Sequence, residues 1–353
     1  MSEAAALDES APIWPDIDVV MPIRNEAEHL VAAAAAVRSQ EYPGRVRIFL
    51  GVGPSDDGTE RVAAELAATF DDLVVVDNPS GLTPSALNAA IRAGTAPIVV
   101  RVDGHSELSD GYIRRAVETM QRTGAVNVGG LQVPIATTPF ERAVAAATTS
   151  WLGTGGASYR VGGQEGPVDT VFLGVFDRAA IEAVGLFDER LIRNQDYELN
   201  IRLRKAGGTV WFDPELSVGY RPRGSWTALA KQYYEYGYWK AAVMRLHPDS
   251  ARLRQVIPPV AVGGIVLGAA LSPRVRWFAL APAAYGCVIA AAAARAGRGL
   301  FAVAAPLIHI SWSTGLLVGL TRAPHAKGSD HRWPTQAGET PHPNPTDGPA
   351  LDA

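Results

Sequence analysis

Between Asp18 and about Gly208, short apolar runs alternate with longer stretches that read as helices, the rhythm of a βαβ protein. Asp18-Val19-Val20-Met21-Pro22 predicts a strand, and Ala27 to Gln40, dominated by alanine, predicts a helix of strong formers. Arg47 to Gly51 predicts the next strand, and a polar turn, Gly53-Pro54-Ser55-Asp56-Asp57-Gly58, leads into a helix from Thr59 to about Phe70. Leu73 to Asp77, then a helix from Thr83 to Ala93, then Ile98 to Asp103 continue the alternation. The expected architecture is α/β, a mostly parallel, Rossmann-like sheet covered by helices.

Near Gln255 the pattern changes to three apolar stretches almost free of charge: Val256 to Leu271, Trp277 to Ala294 and Leu300 to Leu320. Crossing a bilayer core takes roughly 20 apolar residues at about 1.5 Å of rise each, and only the third stretch clearly reaches that. Trp277, Trp312 and arginines at the segment ends (Arg252, Arg254, Arg274, Arg276, Arg295, Arg298, Arg322) stand where interfacial anchors stand. Arginine at every boundary leaves the topology open. A helical hairpin buried in a soluble core is the competing reading. The expected organisation is therefore a flexible stretch at 1–15, an α/β domain at 16–250, a membrane region of two or three apolar helices at 255–321, and a disordered tail at 324–353, rich in Pro, Gly, His and Asp. His325, His331 and His342 in that tail have no ligand spacing.

Candidate chemistry enters where an apolar run stops. Val99-Val100-Arg101-Val102 reads as a buried strand and ends on Asp103-Gly104-His105. Open α/β sheets bind ligands beyond the carboxyl ends of their strands, so Asp103 and His105 are expected at that edge. Two metal-capable side chains flanking a glycine suit a divalent cation carrying a diphosphate, although Asp-Gly is also a common turn. Asn194-Gln195-Asp196 opens a helix, and Asp196 near its first turn is favoured as an anion by free backbone amides and the helix dipole, either as a proton acceptor or as an ordinary cap. Lys231 to Lys240 holds five aromatics in ten residues just before the apolar segments, either an interfacial belt or a platform for a sugar or diphosphate.

Composition removes other classes. Among 353 residues the formal net charge is −4, with no basic patch, so nucleic acid is not an expected partner. The single cysteine, Cys287, allows neither a disulfide framework nor a cysteine-based zinc site, which suits a reducing compartment. The first fifteen residues are acidic and alanine-rich, without the basic and apolar regions of a secretory signal, so the domain that follows is expected in the cytoplasm, at the cell membrane.

Taken together, these ordered motifs, from Asp18 to Lys240, resemble the inverting nucleotide-sugar glycosyltransferases of family 2, with the GT-A fold, and within them a membrane-attached branch, the succinoglycan-biosynthesis glucosyltransferases. Val20-Met21-Pro22-Ile23-Arg24-Asn25-Glu26 resembles the first-strand motif, which implies Pro22, Arg24 and Glu26 beside the nucleotide. Gly53 to Thr59 is similar to the turn after the second strand, where relatives begin with paired aspartates; Val52-Gly53 stands in their place, leaving Asp56 or Asp57 as the candidates for reading the base. Ser80 to Asn88 resembles the segment that encloses the nucleotide. Asp103-Gly104-His105 occupies the position of the Asp-x-Asp metal motif, which implies Asp103 and His105 as ligands of Mn2+ or Mg2+. Histidine in place of the last acid removes a charge and tilts the expectation toward Mn2+.

Gln195-Asp196 resembles a Glu-Asp pair whose aspartate is the catalytic base, so the resemblance implies that role for Asp196. Gln232 to Trp239 stands in the region of a Gln-x-x-Arg-Trp motif, but only Gln232 and Trp239 match it, with altered spacing and no arginine; with Tyr236 they are the candidates for the acceptor or diphosphate region. That departure points to addition of one sugar rather than processive synthesis. The implied partners are a nucleotide-sugar donor, a lipid-linked or glycan acceptor, and a membrane. Alternatives are direct transfer to a polyprenyl phosphate, a nucleotidyltransferase, disfavoured because Met21-Pro22-Ile23-Arg24 lacks a glycine-rich loop, and a non-catalytic membrane scaffold.

Overall fold

The computed structural model describes residues 14–322, apart from the side chain of Arg254. The tail expected at 324–353, with its three histidines, and residues 1–13 of the N-terminal stretch lie outside the described residues.

Four parallel strands form one side of a nine-stranded sheet: β1 (Ile17–Ile23), β2 (Val46–Val52), β3 (Leu73–Asp77) and β4 (Ile98–Arg101), in the order β3-β2-β1-β4. The connections are α1 (Leu30–Arg38), α2 (Thr59–Thr69) and α3 (Thr83–Ala93). Both faces of β1, β2 and β4 are covered, whereas Val74 and Val75 of the edge strand β3 stay exposed. Val19, Met21 and Leu50 pack toward α1 and α2, whereas Val20, Phe49 and Val99 pack on Leu87 and Ile91 of α3, which is why the strands read as unbroken apolar runs. The first three strands step outward from β1, and the chain then returns to the other side of β1 for β4. The switch in direction opens a crevice between the carboxyl ends of β1 and β4.

Helix α1 begins three residues later than its alanine content predicts. The amide of Glu26 donates to Thr59 Oγ1 (2.9 Å) and that of Ala27 to Asp57 Oδ2 (3.0 Å), which holds this stretch against the β2–α2 turn and delays the helix.

The remainder of the sheet is mixed. In chain order follow β5 (Glu107–Leu108), α4 (Tyr112–Thr123), β6 (Asn127–Pro134), α5 (Pro139–Thr148), α6 (Trp151–Thr154), α7 (Ser158–Val161), β7 (Gly166–Pro167), β8 (Phe172–Asp177), α8 (Arg178–Ala183), α9 (Gln195–Lys205) and β9 (Val210–Tyr220). β8 is antiparallel to both β4 and β6, β9 runs parallel to β6, and β5 and β7 pair antiparallel with β9.

Four longer helices close the described chain: α10 (Trp226–Leu246), α11 (Leu253–Leu271), α12 (Leu280–Arg295) and α13 (Phe301–Thr321). Among the described residues, two helical segments are long and apolar enough to cross a membrane, Arg276–Arg295 and Phe301–Thr321; Gln255–Leu271 is shorter. The second apolar stretch thus reaches spanning length, unlike the expectation, because a 3-10 turn at Arg276–Ala279 runs directly into α12. The two spans differ in surroundings: 11% of the first is buried in the protein and 39% of the second, which lies on α10. Small residues bring α10 and α13 together. A Cβ on Gly237 would lie 2.0 Å from the Trp312 carbonyl oxygen, and one on Gly315 2.0 Å from that of Tyr234. Glycine at such crossings lets helix backbones approach closely.

Candidate active site

A cleft of about 170 Å³ opens at the β1–β4 crevice. Pro22 and Ile23 reach it from the end of β1, Asn78 from the end of β3, and Arg101, Asp103, Gly104 and His105 from the end of β4 and the turn beyond. Arg24, Glu26, Arg193 and Gln195 complete the polar wall. Five of the predicted residues therefore meet at one place: Pro22, Arg24, Glu26, Asp103 and His105.

Asp103-Gly104-His105 is both a turn and part of this wall. The Ser106 amide donates to the Asp103 carbonyl at 2.9 Å, closing the turn. A Cβ on Gly104 would sit 2.9 Å from Ile23 Cδ1 and 3.1 Å from Glu26 Cγ, so the missing side chain makes room for Glu26. His105 Nδ1 lies 2.8 Å from Glu26 Oε1. That hydrogen bond raises the imidazole pKa against the effect of burial, with the charges of Glu26 and Asp103 adding to it and Arg223 opposing it. In the neutral ring, Nδ1–H donates to the carboxylate and Nε2 carries the free lone pair, the arrangement common behind metal-ligating histidines.

Arg101 was not singled out by sequence. It is buried at the end of β4, where its Nε donates to Asp103 Oδ1 (2.9 Å), its Nη2 to Asp103 Oδ2 (3.3 Å), and its Nη1 to Asp196 Oδ1. One guanidinium thereby serves two carboxylates. Asp196 does not line the cleft wall itself; it stands beside Gln195 and joins the cleft through Arg101. Burial raises the Asp196 pKa, Arg101 lowers it, and Asp103 raises it again, with a net upward shift. The signal for Arg101 was available: a lone charge inside Val99-Val100-Arg101-Val102 has to find a partner once the strand is buried.

Asp196 enters α9 from a constrained turn. Asn194 has φ of 63°, in the left-handed region, and its side-chain amide donates to the Tyr236 carbonyl at 3.0 Å, fixing the start of α9 against α10. Asn25, beside Glu26, has φ of 55° and accepts from the Asp56 amide at 2.9 Å.

The other predicted residues stand away from the cleft. Asp57 accepts from the Thr59 amide and hydroxyl through Oδ1 and from Ala27 through Oδ2, and these hydrogen bonds lower its pKa. It ties the turn after β2 to the stretch before α1. Asp56 is exposed, and neither aspartate lines the cleft. Gln232 donates to the Tyr236 hydroxyl (3.1 Å), Tyr236 meets Tyr233 edge-on, and Trp239 is buried with Leu191, Ile201 and Val243 between α9 and α10. These three lie along α10, beyond the cleft wall.

No group of three or more His, Cys, Asp or Glu side chains that could hold a metal on its own occurs among the described residues. The local donor set nevertheless suits a cation shared with a substrate. Asp103 has lone pairs beyond those used by Arg101, His105 presents Nε2, and cations at phosphate sites commonly complete their coordination with phosphate and water.

The model of the family "Glycosyl transferase family 2" matches residues 18–185. The succinoglycan biosynthesis protein ExoA of Rhizobium meliloti (strain 1021) is 33% identical over 307 residues, 84% of this chain and 92% of that protein. A dolichyl N-acetyl-alpha-D-glucosaminyl phosphate 3-beta-D-2,3-diacetamido-2,3-dideoxy-beta-D-glucuronosyltransferase of Methanococcus voltae is 26% identical over 65% of this chain and 74% of its own length. Among solved structures, the mannosyltransferase PcManGT of Pyrobaculum calidifontis, in complex with GDP-Man and Mn2+, superposes with a TM-score of 0.58 at 18% identity, covering 87% of this chain and 91% of that one. That likeness shows the shared GT-A fold.

Proposed function

We propose, since this chain belongs to glycosyl transferase family 2 and is a glycosyltransferase, that it moves one sugar from a nucleotide-sugar donor to a membrane-borne saccharide, with inversion, in the synthesis of a cell-surface polysaccharide or glycolipid. The observation that carries this reading is the single guanidinium of Arg101 held between Asp103 and Asp196 at the switch-point cleft. The donor occupies the cleft, with its diphosphate at the Asp103 and His105 side, where Arg24 and Arg193 also present positive charge. A divalent cation, Mn2+ or Mg2+, held by Asp103 and His105, would supply charge neutralisation at the departing diphosphate.

Asp196 accepts the proton of the attacking hydroxyl. Its raised pKa brings it closer to the working pH, which favours a general base provided the group remains ionised. Arg101 holds the carboxylate in place and keeps it charged against burial. Attack opposite the leaving group inverts the anomeric centre. The two apolar segments support a reaction at a membrane surface, and the supply of nucleotide sugars in the cytoplasm supports a catalytic domain on that side; the Methanococcus voltae relative, named for a dolichyl-linked sugar, supports a lipid-linked saccharide as acceptor.

The test is donor release and transfer by the detergent-purified full chain, with UDP-, GDP- and dTDP-sugars, Mn2+ or Mg2+, and a crude lipid extract. Release of one nucleoside diphosphate that requires metal and disappears in Asp103→Ala and Asp196→Asn supports the assignment. Folded protein that releases none of the three refutes it. His105→Asp is expected to move the preference toward Mg2+, and unchanged preference would remove His105 from the ligand set.

A further inference from the structure

Three arginines line the cleft, and the protein uses a different share of each guanidinium. Arg101 donates from Nε and from both terminal nitrogens to Asp103 and Asp196. Arg24 donates from Nε to the Pro54 carbonyl (3.2 Å) and from Nη1 to that of Gly81 (3.4 Å). Arg193 is held at Nε alone, by Glu235 Oε2 of α10 at 3.2 Å, and among the described residues neither of its terminal nitrogens has a hydrogen-bond partner. A guanidinium anchored at one edge presents the other two nitrogens as a planar fork, the shape that matches two oxygens of a phosphate. The charge of Glu235 is itself divided, since Lys231 Nζ stands 3.9 Å from its other oxygen. An ion pair with side chains 40% and 27% exposed adds little to stability, so its main consequence is geometric: it sets where the guanidinium lies.

The next residue along the chain repeats the attachment. Asn194 donates to the carbonyl of Tyr236, one position beyond Glu235, at 3.0 Å. Helix α10 thus grips two successive residues of the turn that leads to Gln195, in the cleft wall, and to Asp196. On its other side α10 is fixed by α13, where a Cβ on Gly315 would lie 2.0 Å from the Tyr234 carbonyl oxygen and one on Gly319 2.5 Å from that of Tyr238. A support packed so closely moves little.

We propose that Glu235 is a positioning residue of the donor site: by holding Arg193 at Nε, it aims the two terminal nitrogens at the diphosphate of the nucleotide sugar. The inference rests on the glycosyltransferase reading and adds the anchor that orients one of its cations. Arg193 touches the donor, whereas Glu235 acts only through Arg193.

The test uses the detergent-purified full chain with UDP, GDP and dTDP in the presence of Mn2+, titrated calorimetrically, and each nucleoside without its phosphates, followed by saturation-transfer NMR. Arg193→Gln is expected to weaken the nucleoside diphosphate that the wild type binds by about 10- to 100-fold and to leave the nucleoside unaffected. Glu235→Gln is expected to weaken the same diphosphate, and to raise the KM of its sugar, by about fivefold, with a smaller effect on kcat; Glu235→Asp falls between it and the wild type and serves if Glu235→Gln does not fold. In an Arg193→Gln background, Glu235→Gln is expected to cost nothing further. Losses that add in the double variant overturn the inference, because Glu235 would then act without Arg193. So does unchanged or tighter diphosphate binding in Glu235→Gln, which would make Glu235 a bystander or a competitor for Arg193. A matching loss of nucleoside affinity in Arg193→Gln would take Arg193 off the diphosphate and overturn it too. Metal-dependent donor release by the wild type keeps the two ideas separate: release with diphosphate binding indifferent to Arg193 and Glu235 sinks only this inference, whereas absence of release sinks the proposed reaction.

Discussion

Two clusters of arginine and carboxylate stand at opposite ends of the same central strands: the first balances its charges, since Glu182 also pairs with Arg178 at 3.2 Å, and the second does not. At the amino end of β1, Asp18 is completely buried and meets two guanidiniums, Arg47 at 3.2 Å and Arg178 at 2.8 Å, together with the Ala96 amide at 2.7 Å. At the carboxyl end of β4, one guanidinium, Arg101, meets two carboxylates. The first cluster has every lone pair it needs and faces no cleft. The second has more negative charge than its own cation balances and opens on a 170 Å³ cleft. A surplus of carboxylate in a partly dry site is expensive for stability and useful for holding a cation or taking a proton, so the contrast separates an ion cluster that holds the fold from one that acts on a ligand.

The sharpest test of this contrast is exchange of the acids for amides. Asp196→Asn is expected to reduce kcat by about 10² to 10⁴ while leaving the dissociation constant for the donor unchanged, measured by initial rates and donor titration. An equal loss of donor affinity would make Asp196 an organiser of the cleft. Asp18→Ala is expected to do the reverse: it removes the buried carboxylate shared by Arg178 and the half-exposed Arg47 and lowers unfolding stability by about 3–5 kcal/mol, while the protein that remains folded keeps its turnover. Chemical denaturation followed by activity measurement of the folded fraction decides it, and a stable Asp18→Ala protein with low kcat would erase the distinction.

A smaller effect follows from proton linkage. Because the folded pKa of Asp196 is raised, chiefly by burial, the group contributes stability that is present below its unfolded value and lost as pH rises through the folded one. Asp213 has the opposite sign. Its carboxylate accepts from Arg115 and Thr119 and its pKa is lowered, so its contribution is present above the unfolded value and lost as pH falls through the folded one. Near neutral pH, Asp196→Asn should therefore melt at the same temperature as the wild type or higher, and Asp213→Asn lower. The catalytic rate of the wild type should fall with acid at a pH above the ordinary aspartate range. Thermal scans and a pH–rate profile measure all three, and a destabilised Asp196→Asn protein would class both clusters as structural.

Much of this arrangement was legible before the fold was known, and the misses share a cause. Leu73–Asp77 and Thr83–Ala93 have the expected limits because strand and helix periods were unmixed there. The placement of Asp103 and His105 beyond a buried strand needed only that strands of a parallel sheet end at the binding edge. What sequence did not reveal is which polar groups are already occupied. Asp57 looked like a free acid in a polar turn, yet it accepts from Thr59, two residues on, and from the Ala27 amide, thirty residues away in the chain. Trp239 looked like part of an aromatic platform, but helical spacing turns it into the core between α9 and α10. Arg101 was hidden by its own apolar neighbours, and its two partners lie 2 and 95 residues away. Gly315 and Gly319 read simply as part of an apolar segment, whereas they are the contact surface of α13 on α10.

The smallest expected effect tests whether the open cluster is tuned for a cation at all. Glu26 touches the cleft, but its strongest link is to His105 Nδ1 at 2.8 Å. If the imidazole offers Nε2 to a cation, Glu26 acts by fixing the tautomer and the ring angle, and its charge also raises the affinity of the ring for protons. These two influences oppose each other near neutral pH, because a protonated ring is no ligand. Glu26→Gln keeps a hydrogen-bond acceptor and removes the charge, so the ring should deprotonate more readily but be held less firmly. The expected net result is a metal affinity lower by about tenfold above pH 7, the lower end of what removing such a partner costs, with the deficit shrinking at pH 6, where the wild-type ring is more protonated than that of the variant. Titration of Mn2+ by the quenching of its water-proton relaxation enhancement, at both pH values, measures this directly. A deficit that grows on acidification would mean that Glu26 itself binds the cation, and the carboxylates acting at this end of the strands would then number three rather than two.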